Sequence, residues 1–251
     1  MSADDYQRFE NLGFDDFRRM AKDGSLSRYE KIGFPDSYRE GKEELIFLDI
    51  VAKLTGLQEK NKIVLDIGPG CSDLPRMLMD LCKRNGHSLL LVDSREMLSN
   101  LPDHESVTKI DGYFPQCERL FADFTVKVDV IIAYSLLHYV FAESNVWEFL
   151  DRCLELLNHG GKLLIGDIPN VSKRKRFFSS PLGVKFHQDF TSSDSMPDVQ
   201  FNRIERQCID DAVILGLIAR ARSQGYDAYV LPQAHGLPMS NRREDILIER
   251  P

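Results

Sequence analysis

A chain of 251 residues with 43% hydrophobic content is long enough to bury one substantial core, and its net charge of −7 argues against an extended nucleic-acid-binding surface. No run approaches the roughly 18 apolar residues of a membrane-spanning helix, and the acidic start Met1-Ser2-Ala3-Asp4-Asp5 has no apolar segment of a secretory signal. Five cysteines (Cys71, Cys82, Cys117, Cys153, Cys208) are odd in number, widely spaced and without a Cys-x-x-Cys pair, so the reading expects a reducing cytoplasm, with no disulfide framework and no metal site.

In chain order, residues 1–57 read as a helical N-terminal cap. Within it Gly13-Phe14-Asp15-Asp16-Phe17-Arg18-Arg19 and Gly33-Phe34-Pro35-Asp36-Ser37-Tyr38-Arg39 share Gly-Phe-x-Asp-x-x-Arg. These are either two similar helix starts, each with an aspartate cap and a buried Phe, or a functional duplication. Tyr29, Phe34 and Tyr38 either cover a ligand or pack within the cap. From 58 to 251 strands are expected near 62–67, 88–93, 107–111, 127–133, 161–167, 226–231 and 244–249. Helices fall near 73–85, 95–100, 115–122, 144–158 and 208–224. Val146, Phe149, Leu150, Cys153, Leu154, Leu156 and Leu157 have mostly helical spacing, and His159-Gly160-Gly161 reads as the glycine end of that helix. Residues 171–207 are longer than a typical connection and are expected to form an insertion or lid. Alternating strands and helices imply an α/β fold, Rossmann-like, with one mostly parallel sheet.

The chemistry concentrates in Val64-Leu65-Asp66-Ile67-Gly68-Pro69-Gly70-Cys71-Ser72-Asp73. Lys62 to Ile67 is short, apolar and β-branched, as a strand buried on both faces requires. Gly68 and Gly70 let the backbone turn sharply and approach a ligand, while Ser72 or Asp73 caps the next helix, whose free N–H groups face the turn. A tight turn alone has the same glycines. Ser88 to Asp93 is a second apolar run ending in an acid, at about the 20-residue spacing from the glycines at which such sheets place a carboxylate on a ribose diol. Asp93 is read as that contact, or as an N-cap of the helix near Arg95. Cys71, inside the loop, is read as a small filler in preference to a nucleophile.

These residues resemble the class I S-adenosylmethionine-dependent methyltransferases, whose first motif is an apolar strand, an acid and a Gly-x-Gly-x-Gly turn. The resemblance runs well from Lys62 to Asn170. Asp66, Gly68 and Gly70 match, whereas the third glycine is Ser72. It implies S-adenosylmethionine as cofactor, a seven-stranded sheet whose last strand inserts antiparallel beside the fifth, and cofactor contacts at Asp66, Gly68, Gly70, Asp93 and Ser94. It also implies adenine contacts at Asp111 and Gly112, and contacts near the sulfonium at Tyr134 and Ser135. Asp111-Gly112 is equally a turn pair. A Gly-x-Gly-x-x-Gly dinucleotide loop would need Gly or Ala where Asp73 stands, which disfavours NAD. The Asn-or-Asp-Pro-Pro-aromatic motif of nucleobase and glutamine nitrogen methylation is replaced by Ala133-Tyr134-Ser135-Leu136, which disfavours those acceptors.

Transfer to an alcohol needs a base. His138, just after the fourth strand, is the candidate, unless it only packs on the sheet; His187 and Asp167 are reserves. Lys173-Arg174-Lys175-Arg176 reads either as a solvated helix face or as a cationic grip on an anionic substrate. The expected function is methyl transfer to a small polar acceptor, oxygen before nitrogen, with an anionic sugar or acidic metabolite as one option. The alternatives are an NAD-dependent oxidoreductase and a non-catalytic cofactor-binding module. The expected partner is a small-molecule substrate, with neither membrane nor extended nucleic acid.

Overall fold

The computed structural model describes residue 9 and residues 12–251. Before the first strand come α1 (Phe14–Lys22), α2 (Asp36–Arg39) and α3 (Glu43–Lys53), with 3-10 turns at Glu30–Ile32 and Thr55–Gln58. Then follow β1 (Ile63–Ile67), α4 (Asp73–Asn85), β2 (Ser88–Asp93), α5 (Arg95–Leu98), β3 (Val107–Asp111), α6 (Glu118–Phe124) and β4 (Val128–Tyr134). The chain continues through α7 (Leu137–Glu143), α8 (Val146–Leu156), β5 (Leu157–Pro169), α9 (Val171–Phe178), α10 (Pro181–Thr191) and α11 (Asp211–Ser223). It closes with β6 (Asp227–Pro232) and β7 (Arg243–Glu249).

The seven strands form one sheet in the order β3-β2-β1-β4-β5-β7-β6. β1 to β5 pair in parallel, and β7 runs antiparallel between β5 and β6. Side chains alternate between two buried faces, the period of a strand covered on both sides. Leu65, Leu90, Val92, Ile131 and Ala133 pack with Phe149, Leu154 and Leu217 of the helices on one face. Val64, Leu89, Leu91, Val130 and Ile132 pack with Ile46, Ile50, Leu78 and Cys82 on the other. The two layers fix the sheet, and every loop at the carboxyl ends of its parallel strands opens on one edge.

Three local features depart from the sequence expectation. α8 stops at Leu156, and Leu157 is already extended (φ −70, ψ 126), so Gly160-Gly161 is not a helix end. The glycines lie in β5, where Gly160 (φ +74) donates to the Arg250 carbonyl and Gly161 accepts from the Arg250 N–H. α11 begins at Asp211 because the Asp210 carboxylate takes the Val213 N–H at 3.0 Å, a strong helix cap. α6 begins at Glu118, later than expected.

The basic run lies on α9 and spends its charges inside segment 171–207 and on its neighbours. Lys173 Nζ donates to the Arg243 carbonyl (2.6 Å) and Lys175 Nζ to the Arg203 carbonyl (2.7 Å). Arg174 pairs with Glu205 and Arg176 with Asp211. No helix among the described residues is long and apolar enough to cross a membrane.

Candidate active site

A cleft opens over the carboxyl ends of β1, β2 and β4, where the strand order reverses direction. Its floor is Gly68, Pro69, Gly70 and Ser72 after β1, with Val92 and Asp93 of β2. One wall is Gly112, Tyr113 and Phe114 after β3; another is Tyr134, Ser135 and Leu136, with Tyr139, Val140 and Glu143 of α7. The roof comes from the N-terminal helices: Phe14, Phe17, Ile32, Phe34, Arg39 and Glu43.

The glycine loop is built for close approach. Gly68 and Gly70 have φ +68 and +67, and a Cβ on Gly70 would stand 2.6 Å from Ile32 Cγ2. Gly68 N–H donates to the Val92 carbonyl (2.8 Å) and Gly70 N–H to Asp93 Oδ2 (3.1 Å), which fastens the loop to the end of β2. Ser94 N–H takes the other oxygen of Asp93 at 2.6 Å. Each oxygen thus keeps a lone pair for a hydroxyl in the cleft. Burial pushes the Asp93 carboxyl up to about 6, against the pull of those backbone N–H groups.

The other expected contacts divide. Gly112, Tyr134 and Ser135 line the cleft beside Gly68, Gly70 and Asp93. Ser94 does not: its Oγ caps α5 by accepting the Met97 N–H (3.2 Å), so its service is to orient Asp93. The exposed Asp111 carboxylate likewise faces α5, accepting the Arg95 N–H at 3.0 Å. Asp66 lies behind the loop, facing a small cavity shared with Phe47, Ile50 and Leu78. Burial, and then the Asp93 charge, push its carboxyl up to about 8. Cys71 is buried in the core with its thiol pushed up to about 11, a filler as expected.

His138 is not placed to be the base. It does not line the cleft, its Nδ1 is buried without a partner, and its ring lies against Tyr139 with centroids 3.9 Å apart. Burial and then the Arg243 charge push it down to about 3, so it stays neutral at physiological pH. His187 is bound to Ser195 at 3.2 Å in the 171–207 segment, none of whose residues lines the cleft. Asp167, at φ +58 in the irregular stretch of β5, is held by Arg243 (2.7 Å) and approached by Arg39 (3.4 Å). It also accepts the Ser135 hydroxyl. Ser135 is itself left-handed at φ +58, so two strained residues meet at adjacent strand ends beside the cleft.

The roof was only partly legible. Phe34 lines the cleft, but the Tyr29 hydroxyl donates to Asp73 (2.9 Å) and Tyr38 faces a side cavity with Asp167 and Met239. Phe14 and Phe17 were missed. They meet Tyr113 and Tyr139 edge to face at 4.9 and 5.0 Å and tie the cap across the opening. The shared Gly-Phe-x-Asp-x-x-Arg was the available signal, since Phe14, Phe34 and Arg39 of its two copies all reach the cleft.

No protein-family model matches the chain, and no curated protein matches it by sequence. Solved structures do match in shape. The plantazolicin methyltransferase BamL, in complex with a triazolic desmethylPZN analog and SAH, is 15% identical, with 93% of this chain and 95% of that one covered and a TM-score of 0.57. A chain of the complex between the Haloferax volcanii Trm112 methyltransferase activator and a methyltransferase is 14% identical over 94% and 98%, TM-score 0.56. A SAM-dependent methyltransferase from Aquifex aeolicus is 13% identical over 88% and 96%, TM-score 0.52. Strand order, the antiparallel β7 and these near full-length matches together show that the chain has the class I methyltransferase fold.

Proposed function

We propose that the protein binds S-adenosylmethionine in this cleft and transfers its methyl group to a small acceptor. The observation that carries the reading is the Gly68–Gly70 loop drawn onto the Asp93 carboxylate on the floor of the cleft. The residues fit the cofactor: the loop has no Cβ at Gly68 or Gly70, where one would press on Leu136 or Ile32, Asp93 offers acceptors to a ribose diol, and Tyr113 and Phe114 flank the end beside Gly112 where an adenine ring would stack. When bound, S-adenosylmethionine would supply an electrophilic methyl group on a sulfonium whose sulfur keeps the bond electrons. The chain's own part is alignment and exclusion of water, which an in-line displacement chiefly needs. Phe14, Phe17 and Phe34 close the roof, while Ser135 and Arg39 offer polar contacts at the end of β4.

A dinucleotide is less well served. A pyrophosphate would need free N–H groups at the start of α4, where the Leu74 N–H is already given to Glu43 (2.8 Å).

For the acceptor, the reading keeps oxygen and a small polar molecule, but not a grip by the basic run, whose charges are spent elsewhere. Among the described residues Arg39 is the cation that lines the cleft, where it is already held by Asp167 (3.4 Å) and Ser135 (2.8 Å), and no described histidine lines it. With no strong base at hand, an acceptor hydroxyl that ionises readily, phenolic or enolic, fits this cleft better than a plain alcohol. The check is release of S-adenosylhomocysteine during incubation with phenols, enols, carboxylic acids, sugars and amines. Turnover with acidic hydroxyls is expected, and turnover with amines alone would contradict the oxygen reading.

A further inference from the structure

Glu43 is the first residue of α3, 3% exposed, and it lines the cleft beside the glycine loop. Its Oε2 accepts the Leu74 N–H at 2.8 Å, which fixes the side chain against the start of α4. Its Oε1 is buried and accepts no hydrogen bond. An unsatisfied buried carboxylate oxygen is costly, and a ligand's donor reaching it would remove that cost. Burial raises the Glu43 carboxyl above its usual range, while Ser72, Arg39 and the N–H groups of Leu74 and Asp73 oppose the rise. Oε1 itself still has no donor at hydrogen-bond distance.

The sheet order says which donor comes within reach. With adenine beside Gly112 after β3 and ribose on Asp93 of β2, an extended cofactor runs on past the β1 loop towards β4. Its amino-acid end would then come to the part of the cleft lined by Gly70, Ser72 and Glu43. We propose that Glu43 Oε1 receives the α-ammonium of the cofactor's amino-acid end, so that the N-terminal cap, and not the loop alone, recognises that end. This assignment rests on the S-adenosylmethionine reading above. It also accounts for Ser72 in place of a third glycine: the loop need not supply every contact to the amino acid when the cap brings a carboxylate.

The test compares the affinity of S-adenosylhomocysteine, of its deamino analogue and of 5′-methylthioadenosine, which lacks the amino-acid end, by calorimetry on the full chain and on Glu43→Gln. A charged hydrogen bond of about 1.5–3 kcal/mol corresponds to a loss of roughly 10- to 150-fold. Glu43→Gln is expected to lose that much affinity for S-adenosylhomocysteine and to change less than twofold for methylthioadenosine. On the unmodified protein the deamino analogue is expected to lose as much, and Glu43→Gln to add little to that loss. Equal loss for all three ligands would make Glu43 merely structural and overturn the assignment, as would full affinity of the deamino analogue for the unmodified protein, a result that does not depend on the variant folding. Failure of the unmodified protein to bind S-adenosylhomocysteine would overturn the cofactor reading itself.

Discussion

Two buried carboxyls with raised pKa values, Asp66 at about 8 and Asp93 at about 6, stand on either side of one glycine loop. A carboxyl whose folded pKa lies above its unfolded value holds its proton more tightly when folded, so stability is lost as pH rises from the unfolded towards the folded pKa. Above pH 7 Asp93 is largely ionised, and His138, neutral in the fold, loses only the last part of its unfolded-state proton, a small effect of opposite sign. Of these three groups, Asp66 then sets most of the slope. The ligand-free protein is expected to lose about 1 kcal/mol between pH 7 and pH 8, a Tm drop of about 2–4 °C, and Asp66→Asn to remove most of that drop. Thermal melts at the two pH values decide it; the same drop in the variant would show that Asp66 is not the group. That Gly68, Gly70 and Asp93 come together was legible because strand ends, glycine turns and acids are local patterns, whereas Asp66, expected beside them, stands behind the loop. Glu43 was not legible, because its meaning depends on a contact with Leu74 across 31 positions of chain.

Among the elements, the cap is what the sequence described least. It reads as helical with two similar starts, and the structure gives those starts a use: each places a phenylalanine over the cleft. α1 is fastened to α5 by Glu96, which pairs with Arg18 and Lys22, both at 3.0 Å, and is thereby held down to about 2. These exposed ion pairs are screened by salt and contribute little. The edge-to-face contacts Phe14–Tyr113 and Phe17–Tyr139, about 0.5–1.5 kcal/mol each beyond their buried area, hold the roof more firmly. The Phe14→Ala, Phe17→Ala double variant is expected to be cut several-fold faster by trypsin after Arg18, Arg19 and Lys22, and to bind S-adenosylhomocysteine about 10-fold more weakly. Unchanged cleavage and affinity would show that the roof does not depend on these rings. The end of α8 eluded the sequence for a different reason: Gly160-Gly161 is a sound helix stop in isolation, but strand pairing with Arg250, far along the chain, recruits the same residues into β5.

For the molecule as a whole, one sheet covered on both faces leaves a single edge at which the carboxyl ends of β1, β2 and β4, the glycine loop and the cap converge. That architecture follows from alternating apolar runs and was readable in outline from the sequence. The base was not, because His138 is near the cleft in sequence but turned into the protein beside Arg243 and Asp167. The decisive measurement is a calorimetric titration of the full chain with S-adenosylhomocysteine and, separately, with NAD, repeated on Asp93→Ala with its fold checked by thermal melting. Binding of S-adenosylhomocysteine but not NAD, weakened at least 10-fold in the variant, is the expected result. Binding of NAD in its place, or S-adenosylhomocysteine affinity indifferent to Asp93, would contradict the assignment of the cleft.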